Sequence, residues 1–291
     1  MRTASPNTAA RPTGLIITAD DFGAAAAVNE AVELAHRDGV LSAASLMVGA
    51  PAAADAIARA RRLPGLRVGL HLVLVDGAPM LPPEEVPRLV DAKGRFRADM
   101  AAAGATMFFQ PAARRQLAAE IEAQLAAFQA TGLALDHVNA HKHFHLHPTI
   151  AGLVLKLGPR HGLRAMRIPI EPIAPLKQAT PGGGVGGGRL LRLWARLART
   201  RARAAGLLTP DQVFGLRWSG AMSEGRLEGL IRVLPPGLSE IYLHPASGAG
   251  FEGAAPGYAY GEELAALLSQ RVRSAVRESA IRLGGFADFA A

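Results

Sequence analysis

The chain has 291 residues and no cysteine; 49% of its residues are hydrophobic and 19% are charged. It can therefore build a full hydrophobic core, whereas disulfide bonds and thiolate metal ligands are excluded. The net charge of +8 is compatible with nucleic acid, an anionic membrane surface or a generally arginine-rich composition. No apolar run is long enough for a membrane span, and residues 1–12 lack the apolar core of a secretory signal, so we expect a cytoplasmic protein.

Short apolar segments alternate along the chain with amphipathic segments. The predicted strands are residues 14–23, 41–48, 66–73, 133–141, 165–168, 212–216 and 238–244. The predicted helices are residues 24–38, 52–62, 111–131, 149–161, 223–233 and 262–279. The alternation indicates βαβ units with a parallel sheet, in one α/β domain over residues 1–291. We expect a loose leader at 1–13 and an insertion or lid at 76–110.

Residues 180–208 form a second predicted insertion, in which a glycine tract at 180–188 precedes a helix at 189–208. Its apolar residues share one side of that helix: Leu190, Leu193, Trp194 and Leu197. Its arginines follow another side: Arg192, Arg196, Arg199 and Arg203. A basic amphipathic helix with a tryptophan is typical of a membrane interface, and a surface helix with solvated arginines is the alternative. With one aromatic residue and no recognition motif, nucleic-acid binding is not expected.

Polar residues stand where several predicted strands end. Asp20 and Asp21 follow the first strand, so one could coordinate a cation while the other stays free as a base. A turn with a helix N-cap is the simpler alternative for such a pair. His71 lies late in the third strand, where it is either a metal ligand or a satisfied core histidine.

Five of the nine histidines fall within residues 136–148, at alternating positions: His137, His141, His143, His145 and His147. In an extended chain they would share one face of a strand and its outgoing loop, which predicts a metal or proton-transfer site. An exposed histidine-rich loop is the alternative. Strand ends that carry Asp, His and His together favour a cation site with open water positions.

Two later strand ends carry further candidates. His244, before Pro245, could face the same cavity from the far side and act as a general acid, or it could be a plain turn residue. Arg167 lies in an otherwise apolar strand, where it would either pair with a site carboxylate or contact the substrate.

These motifs, quoted in chain order, resemble the YdjC family of carbohydrate deacetylases over nearly the whole chain. They are Thr18-Ala19-Asp20-Asp21-Phe22-Gly23, Gly69-Leu70-His71-Leu72, the run from Asp136 to His145, and His244-Pro245. The resemblance implies a distorted (β/α) barrel of the NodB-like, TIM-like kind. It also implies hydrolysis of N-acetyl groups on amino sugars with one divalent metal ion, Mg or Zn.

The resemblance assigns roles to individual residues. Asp20 would be the general base, and His244 the acid that protonates the leaving amine. The metal ligands would be Asp21, His71 and His141. His143 or His145 would add a ligand or orient one, and His137 would support the ligands without touching the ion. Arg167, which the family motifs do not include, keeps substrate binding as the role expected from its place in the strand. Asn139 stands where some members have Asp, so it receives no role.

Within the family, residues 141–148 and the insertion are most similar to the hopanoid biosynthesis-associated deacetylases. That similarity implies an N-acetylglucosaminyl hopanoid substrate and a protein at the inner-membrane surface through residues 189–208. Alternatives are a soluble chitooligosaccharide substrate, a metal-dependent phosphoesterase or amidohydrolase with further carboxylate ligands, and a non-catalytic metal-binding protein. The oligomeric state stays open, with a homo-oligomer compatible with the sequence.

Overall fold

The computed structural model describes residues 14–180, 189–248 and 250–290, without the side chains of residues 189–192. Seven strands occur in the described residues: β1 (Gly14–Phe22), β2 (Ala43–Leu46), β3 (Arg67–Leu72), β4 (Val138–Ala140), β5 (Gln212–Phe214), β6 (Leu238–Leu243) and β7 (Arg282–Leu283). The α-helices there are α1 (Ala26–Asp38), α2 (Ala53–Arg61), α3 (Met100–Phe109), α4 (Pro111–Ala130), α5 (Pro148–Leu157), α6 (Ile173–Ala179), α7 (Arg189–Ala204), α8 (Glu224–Arg232), α9 (Tyr260–Leu268) and α10 (Gln270–Glu278). The predicted leader and residues 181–188 of the glycine tract lie outside the described residues.

The strands form one parallel sheet in the order β4-β3-β2-β1-β6-β5, with β7 beside the start of β1. Residues 164–170 bridge the two ends of this curled sheet. The amide of Arg167 donates to the carbonyl of Val138 at 3.1 Å, and the amide of Val213 donates to Ile170 at 2.9 Å. The predicted distorted α/β barrel is therefore confirmed.

The central strand β1 is apolar on both faces because both faces are covered. Leu15, Ile16 and Ile17 have no exposed surface, as expected for a parallel strand with helices on one side and the barrel interior on the other. The predicted inner face of α1, which includes Val28 and Val32, is buried as expected.

Several predicted boundaries were wrong. The predicted helix 262–279 is two helices, since α9 ends at Leu268 and Ser269 caps α10 by accepting from the amides of Arg271 and Val272. The predicted strand 165–168 makes only isolated bridges, which end before Pro169, a residue without an N–H. Neither α3 nor α6 was predicted; α3 begins at an Asp99 cap within a segment rich in glycine and proline.

Two buried polar residues of α4 hold the segment that follows β3. Glu120 accepts from the amides of Met80 at 2.9 Å and Leu81 at 3.1 Å. Gln124 bonds both the amide and the carbonyl of Val73, at 3.0 and 2.7 Å. Since buried backbone groups need partners, these two side chains determine where the first insertion crosses the end of the barrel.

Removing the Glu120 carboxylate should loosen this insertion. Glu120→Ala leaves two partly buried amides without their acceptor, and we expect the free energy of unfolding to fall by about 1–3 kcal/mol. Urea unfolding followed by circular dichroism measures the loss. Glu122→Ala is the matched control, because Glu122 makes surface ion pairs on the same helix and should cost less than about 1 kcal/mol. Equal losses in the two variants would contradict the proposed anchor.

Candidate metal and catalytic site

The adjacent aspartates at the end of β1 face different partners. Asp20 is buried inside the barrel, whereas Asp21 has a left-handed backbone with a φ of 62° and faces β3 and the segment after β4. In the described part of the chain, five residues other than glycine have positive φ, and four of them line one cavity: Asp21, Asp76, Lys142 and His143. Such conformations cost free energy and cluster at functional sites.

The three predicted metal ligands come together at the mouth of the barrel. Oδ1 of Asp21 lies 3.3 Å from Nε2 of His71 and 3.2 Å from Nδ1 of His141. One ligand atom from each residue can be chosen so that all three lie within 4.8 Å of one another. Two imidazole nitrogens and a carboxylate oxygen beside an open cavity are typical of catalytic zinc sites. These three residues could therefore hold a divalent ion.

Asn139 orients His71 from behind. Its Oδ1 lies 2.7 Å from Nδ1 of His71, and an amide oxygen only accepts, so the ring hydrogen lies on Nδ1 and leaves Nε2 for a metal. The Asn139 amide also donates to Oδ1 of Asp20 at 3.1 Å and to Oγ of Ser45 at 2.9 Å. Ser45 in turn contacts Nε2 of His137 at 3.0 Å, so His137 lies at the far end of this chain and away from the metal ligands.

Arg167 has no exposed surface and bridges two carboxylates. Its Nη1 donates to Oδ2 of Asp20 at 2.5 Å, while Nε and Nη2 donate to Oε1 of Glu240 at 2.9 and 2.7 Å. Glu240 also accepts from the hydroxyl of Thr18 at 2.8 Å. Arg167 does not line the cavity. The expectation of substrate contact is corrected in favour of its alternative, a pair with a site carboxylate.

The neighbours of both aspartates keep them ionised in spite of burial. Burial would raise the pKa of Asp20, but the charges of Arg167 and His71 outweigh it and hold the pKa far below its usual value. Burial also opposes ionisation of Asp21, whose pKa is lowered well below its usual value by hydrogen bonds from His141 and His71. Burial lowers the pKa of His71, and the charge of Asp20 with the contact to Asp21 raises it by more.

The alternating histidines do not share one face, contrary to the sequence prediction. The strand β4 ends at Ala140, and the chain enters a 3₁₀ turn (His141–Leu146) in which Lys142 and His143 both have a φ of 54°. A 3₁₀ turn rotates successive side chains by about 120°, so the alternation of a strand is lost.

The later histidines of the run therefore diverge. Nε2 of His143 lies 2.8 Å from the hydroxyl of Tyr242, and Nε2 of His145 lies 2.8 Å from the carbonyl of Arg167. Burial, followed by the charge of Arg167, lowers the pKa of His143 well below its usual value. His147 packs beside Phe108. Of these histidines only His141 belongs to the group of candidate ligands in the described residues.

His244 reaches the same cavity from the other side of β1. Its backbone amide donates to Oε2 of buried Glu263 at 2.5 Å, and its ring makes edge contacts with Tyr242 and Tyr258. The cavity has a volume of about 1110 Å³. Its lining contains the predicted base, ligands and acid: Asp20, Asp21, His71, His141 and His244.

Sequence reasoning missed three residues of this arrangement. Asn139 was set aside as a departure from the family pattern, yet it connects a candidate ligand to the candidate base. Glu240 and Tyr242 were also missed, although their positions alternate with His244 along the predicted strand 238–244. That alternation was a usable signal, because residues two apart in a strand face the same side.

A family model described as YdjC-like protein matches residues 14–278. The chain belongs to the YdjC-like protein family. The match contains every site residue described above, from Asp20 to His244, and all of the barrel up to α10.

Relatives in the YdjC-like family include proteins named carbohydrate deacetylase. That of Brevibacillus brevis is 39% identical over 157 residues, or 54% of this chain and 58% of that protein. That of Geobacillus stearothermophilus is 37% identical over 163 residues, or 56% and 60%. That of Thermoanaerobacter pseudethanolicus is 26% identical over 232 residues, 80% of each. The chain thus spans less than two thirds of the first two relatives.

A crystal structure from Enterococcus faecalis V583, described as a candidate cellobiose-phosphate cleavage protein, shares the fold. It has a TM-score of 0.74 at 25% identity, over 97% of this chain and 100% of that one.

Acid should destabilise the protein through His145, because burial lowers its pKa from 6.5 to about 3. Below pH 6.5 the unfolded chain binds a proton at His145 that the folded chain does not bind, so stability is lost as the pH falls from 6.5 towards 3. Between pH 6.5 and 5 the loss amounts to about 2 kcal/mol. His145→Gln keeps a donor for the Arg167 carbonyl but cannot titrate, so urea unfolding at the two pH values should show a smaller difference. An unchanged difference would assign the acid sensitivity to other groups.

Proposed function

We propose that this chain is a metal-dependent hydrolase that removes the N-acetyl group from an N-acetylglucosamine-bearing substrate, with residues 1–291 acting as one domain. The observation that carries the proposal is the separation of the two aspartates. Asp21 faces the imidazoles of His71 and His141, while Asp20 stays ionised, apart from them, in the same cavity. The relatives named carbohydrate deacetylase support the same reaction class.

The donor set fits a divalent ion. Oδ1 of Asp21, Nε2 of His71 and Nδ1 of His141 would hold it, and the imidazole ligands favour zinc, while the family resemblance also allows magnesium. When bound, such an ion polarises an amide carbonyl and lowers the pKa of water.

The residues of the chain would divide the proton transfers between two walls of the cavity. Arg167 and Asn139 each hold one oxygen of Asp20, which positions the carboxylate and keeps it ionised. Asp20 would accept a proton from the attacking water, and His244 would donate one to the sugar nitrogen as the C–N bond breaks. The products are acetate and a free amine.

The alternative hydrolases fit less well. A phosphoesterase or amidohydrolase of another barrel type calls for additional carboxylate ligands. The ligand group found in the described residues contains one carboxylate, Asp21, and the nearby Asp76 is paired with Lys142 at 2.5 Å. In a non-catalytic metal-binding protein Asp20 would serve only as a buried partner of Arg167, and its place in the wall of an open cavity would have no use.

The orientation of α7 supports a lipid-linked substrate. The helix packs on the body of the protein through small residues: Ala195, Ala198 and Ala202, all buried. Its larger apolar residues point outward, with exposed fractions of 63% for Leu193, 39% for Trp194 and 51% for Leu197. Arg196 and Arg201 are exposed beside them, and the helix carries no acidic residue. No described helix is long and apolar enough to cross a bilayer.

An exposed apolar stripe flanked by arginines matches a helix that lies in an anionic membrane interface. Together with the similarity of residues 141–148 to the hopanoid-associated deacetylases, this orientation supports our proposal of N-acetylglucosaminyl hopanoid as the substrate, reached at the inner-membrane surface, with a soluble chitooligosaccharide as the alternative.

Acetate release from N-acetylglucosaminyl hopanoid and from N,N′-diacetylchitobiose, with and without a chelator, tests the proposal. We expect chelator-sensitive release from the lipid, at least about tenfold faster than from the soluble sugar. Release from the soluble sugar alone would support the deacetylase activity and contradict the lipid substrate. No release from either by metal-loaded protein would favour the phosphoesterase alternative.

Two neighbouring substitutions serve as matched variants in that assay. Asp20→Asn should lower turnover by about 10²–10⁴-fold, since it removes the base, and metal affinity measured by titration calorimetry should persist. Asp21→Asn should lose both. Loss of metal binding in Asp20→Asn would contradict this division of roles.

Membrane contact through α7 has its own test. The wild-type protein should sediment with vesicles that contain phosphatidylglycerol. The combined variant Leu193→Ser, Trp194→Ser, Leu197→Ser should bind at least about tenfold more weakly, because the apolar area that enters the interface is lost. Phe109→Ser, at another exposed apolar position, is the matched control. Equal vesicle binding by wild type and the triple variant would contradict the proposal. A wild-type dimer that the triple variant abolishes would also contradict it, because the stripe would then be a protein interface.

A further inference from the structure

β6 and the residue that follows it direct three polar side chains, two residues apart, into the barrel: Glu240, Tyr242 and His244. Glu240 is occupied by Arg167, and His244 lies at the mouth, so the middle residue has no role in the reaction described above. The Tyr242 ring packs against the guanidinium of Arg167, whose Cζ lies 4.6 Å from the ring centroid. Its hydroxyl lies 2.8 Å from Nε2 of His143, and the residue lines the cavity that also contains Asp20 and the candidate ligands.

The bond between His143 and Tyr242 can be oriented in two ways, and burial decides between them. Nδ1 of His143 is out of contact with solvent and has no hydrogen-bond partner among the described residues. A hydrogen on Nδ1 would be a buried donor without an acceptor, the costlier kind of unpaired group. The ring hydrogen therefore belongs on Nε2, where it is donated to the phenol oxygen of Tyr242.

The hydroxyl hydrogen of Tyr242 is then free for another acceptor. In the part of the chain that the structure describes, the hydroxyl has no second hydrogen-bond partner, and the side chain forms part of the cavity wall. Burial raises the pKa of Tyr242 well above its usual value, so the phenol keeps its proton at neutral pH. Such a group is a neutral donor held beside the substrate cavity.

The backbone around the phenol is shaped to hold it in place. Gly215 has a φ of 125°, and a Cβ there would lie 2.6 Å from the carbonyl oxygen of Tyr242 and 2.9 Å from its ring. Only glycine allows the chain directly after β5 to approach the tyrosine so closely. With Arg167 on its face, the ring has little freedom to turn away from the cavity.

We propose that the Tyr242 hydroxyl donates a hydrogen bond to the acetyl carbonyl oxygen of the substrate as that oxygen gains negative charge. This inference rests on the proposed deacetylation and adds a catalytic residue to it. No proton is transferred; the phenol stabilises the tetrahedral intermediate and is unchanged when the C–N bond breaks. A donor positioned in advance is effective because it needs no reorganisation during the reaction.

Tyr242→Phe tests the inference, since it keeps the ring beside Arg167 and removes only the hydroxyl. We expect kcat to fall by about 10²–10³-fold with little change in KM, the usual effect of removing one oxyanion donor. Tyr260→Phe is the matched control in the same cavity: its hydroxyl accepts from the amide of Ala255, and its loss of kcat should be at least about tenfold smaller. Metal affinity should match the wild type in both variants; because each variant deprives one N–H of its acceptor, the melting temperature should fall slightly and by a similar amount in both.

Binding measurements distinguish a catalytic from a structural role. A phosphonamidate analogue of the tetrahedral intermediate should bind Tyr242→Phe at least about tenfold more weakly than wild type, while the amine product should bind both equally. An unchanged kcat in Tyr242→Phe would overturn the inference. A rise in KM alone would also overturn the inference, because it would show that the Tyr242 hydroxyl binds the substrate in the ground state and does not act on the transition state.

Failure of the deacetylase assignment would look different. Hydrolysis of p-nitrophenyl acetate should be measured alongside the sugar substrates, since an oxyanion donor acts on any acetyl group that reaches the site. If the wild-type protein cleaves the ester but no N-acetyl sugar, the proposed function is wrong. The role of the Tyr242 hydroxyl can then still be tested by comparing ester cleavage in Tyr242→Phe and wild type. Wild-type protein that cleaves neither, and variants that bind the phosphonamidate equally, would overturn both.

Discussion

The buried guanidinium of Arg167 is the interaction on which the fold and the candidate site both depend. It joins Asp20 of β1, Glu240 of β6 and the segment that closes the sheet. Burying an ion pair gains little net stability, but removing one partner leaves an uncompensated charge in the interior, at a cost of about 3–5 kcal/mol. A change that frees Asp20 from Arg167 would therefore lower stability as well as affect the proposed base, while Arg167 keeps Glu240 as its second carboxylate. The proposed base and the segment that closes the barrel are therefore held by the same guanidinium.

The same ion pair limits what Asp20 can do. A carboxylate whose pKa is held far below its usual value is always ionised near neutral pH, but it is a weak base. Its usefulness as a proton acceptor then depends on a more acidic water, which is the contribution expected of an ion held by Asp21, His71 and His141. The low pKa of Asp20 is thus compatible with a role as proton acceptor only if the adjacent ligand group holds an ion that makes the water more acidic.

Much of the site could be predicted because parallel strands place their ends together. The strand ends sufficed to place Asp20, Asp21, His71 and His244 near one another, whereas their individual roles were taken from the family resemblance. The directions of the histidine side chains could not be predicted in the same way. Lys142 and His143 have positive φ because of their tertiary contacts, and residues other than glycine give no sequence signal for that conformation.

The helix α7 shows a second limit of sequence patterns. Its amphipathic spacing predicts an apolar side but not the direction in which that side points, and packing would normally turn it inward. Here the alanines face the barrel because small residues allow close approach, so Leu193, Trp194 and Leu197 are left outside. In water this arrangement forgoes the burial of three large side chains, at about 25 cal/mol per Å² of apolar area. The burial would be gained if an apolar surface covered the stripe, and the contact with an anionic membrane interface proposed above would supply such a surface.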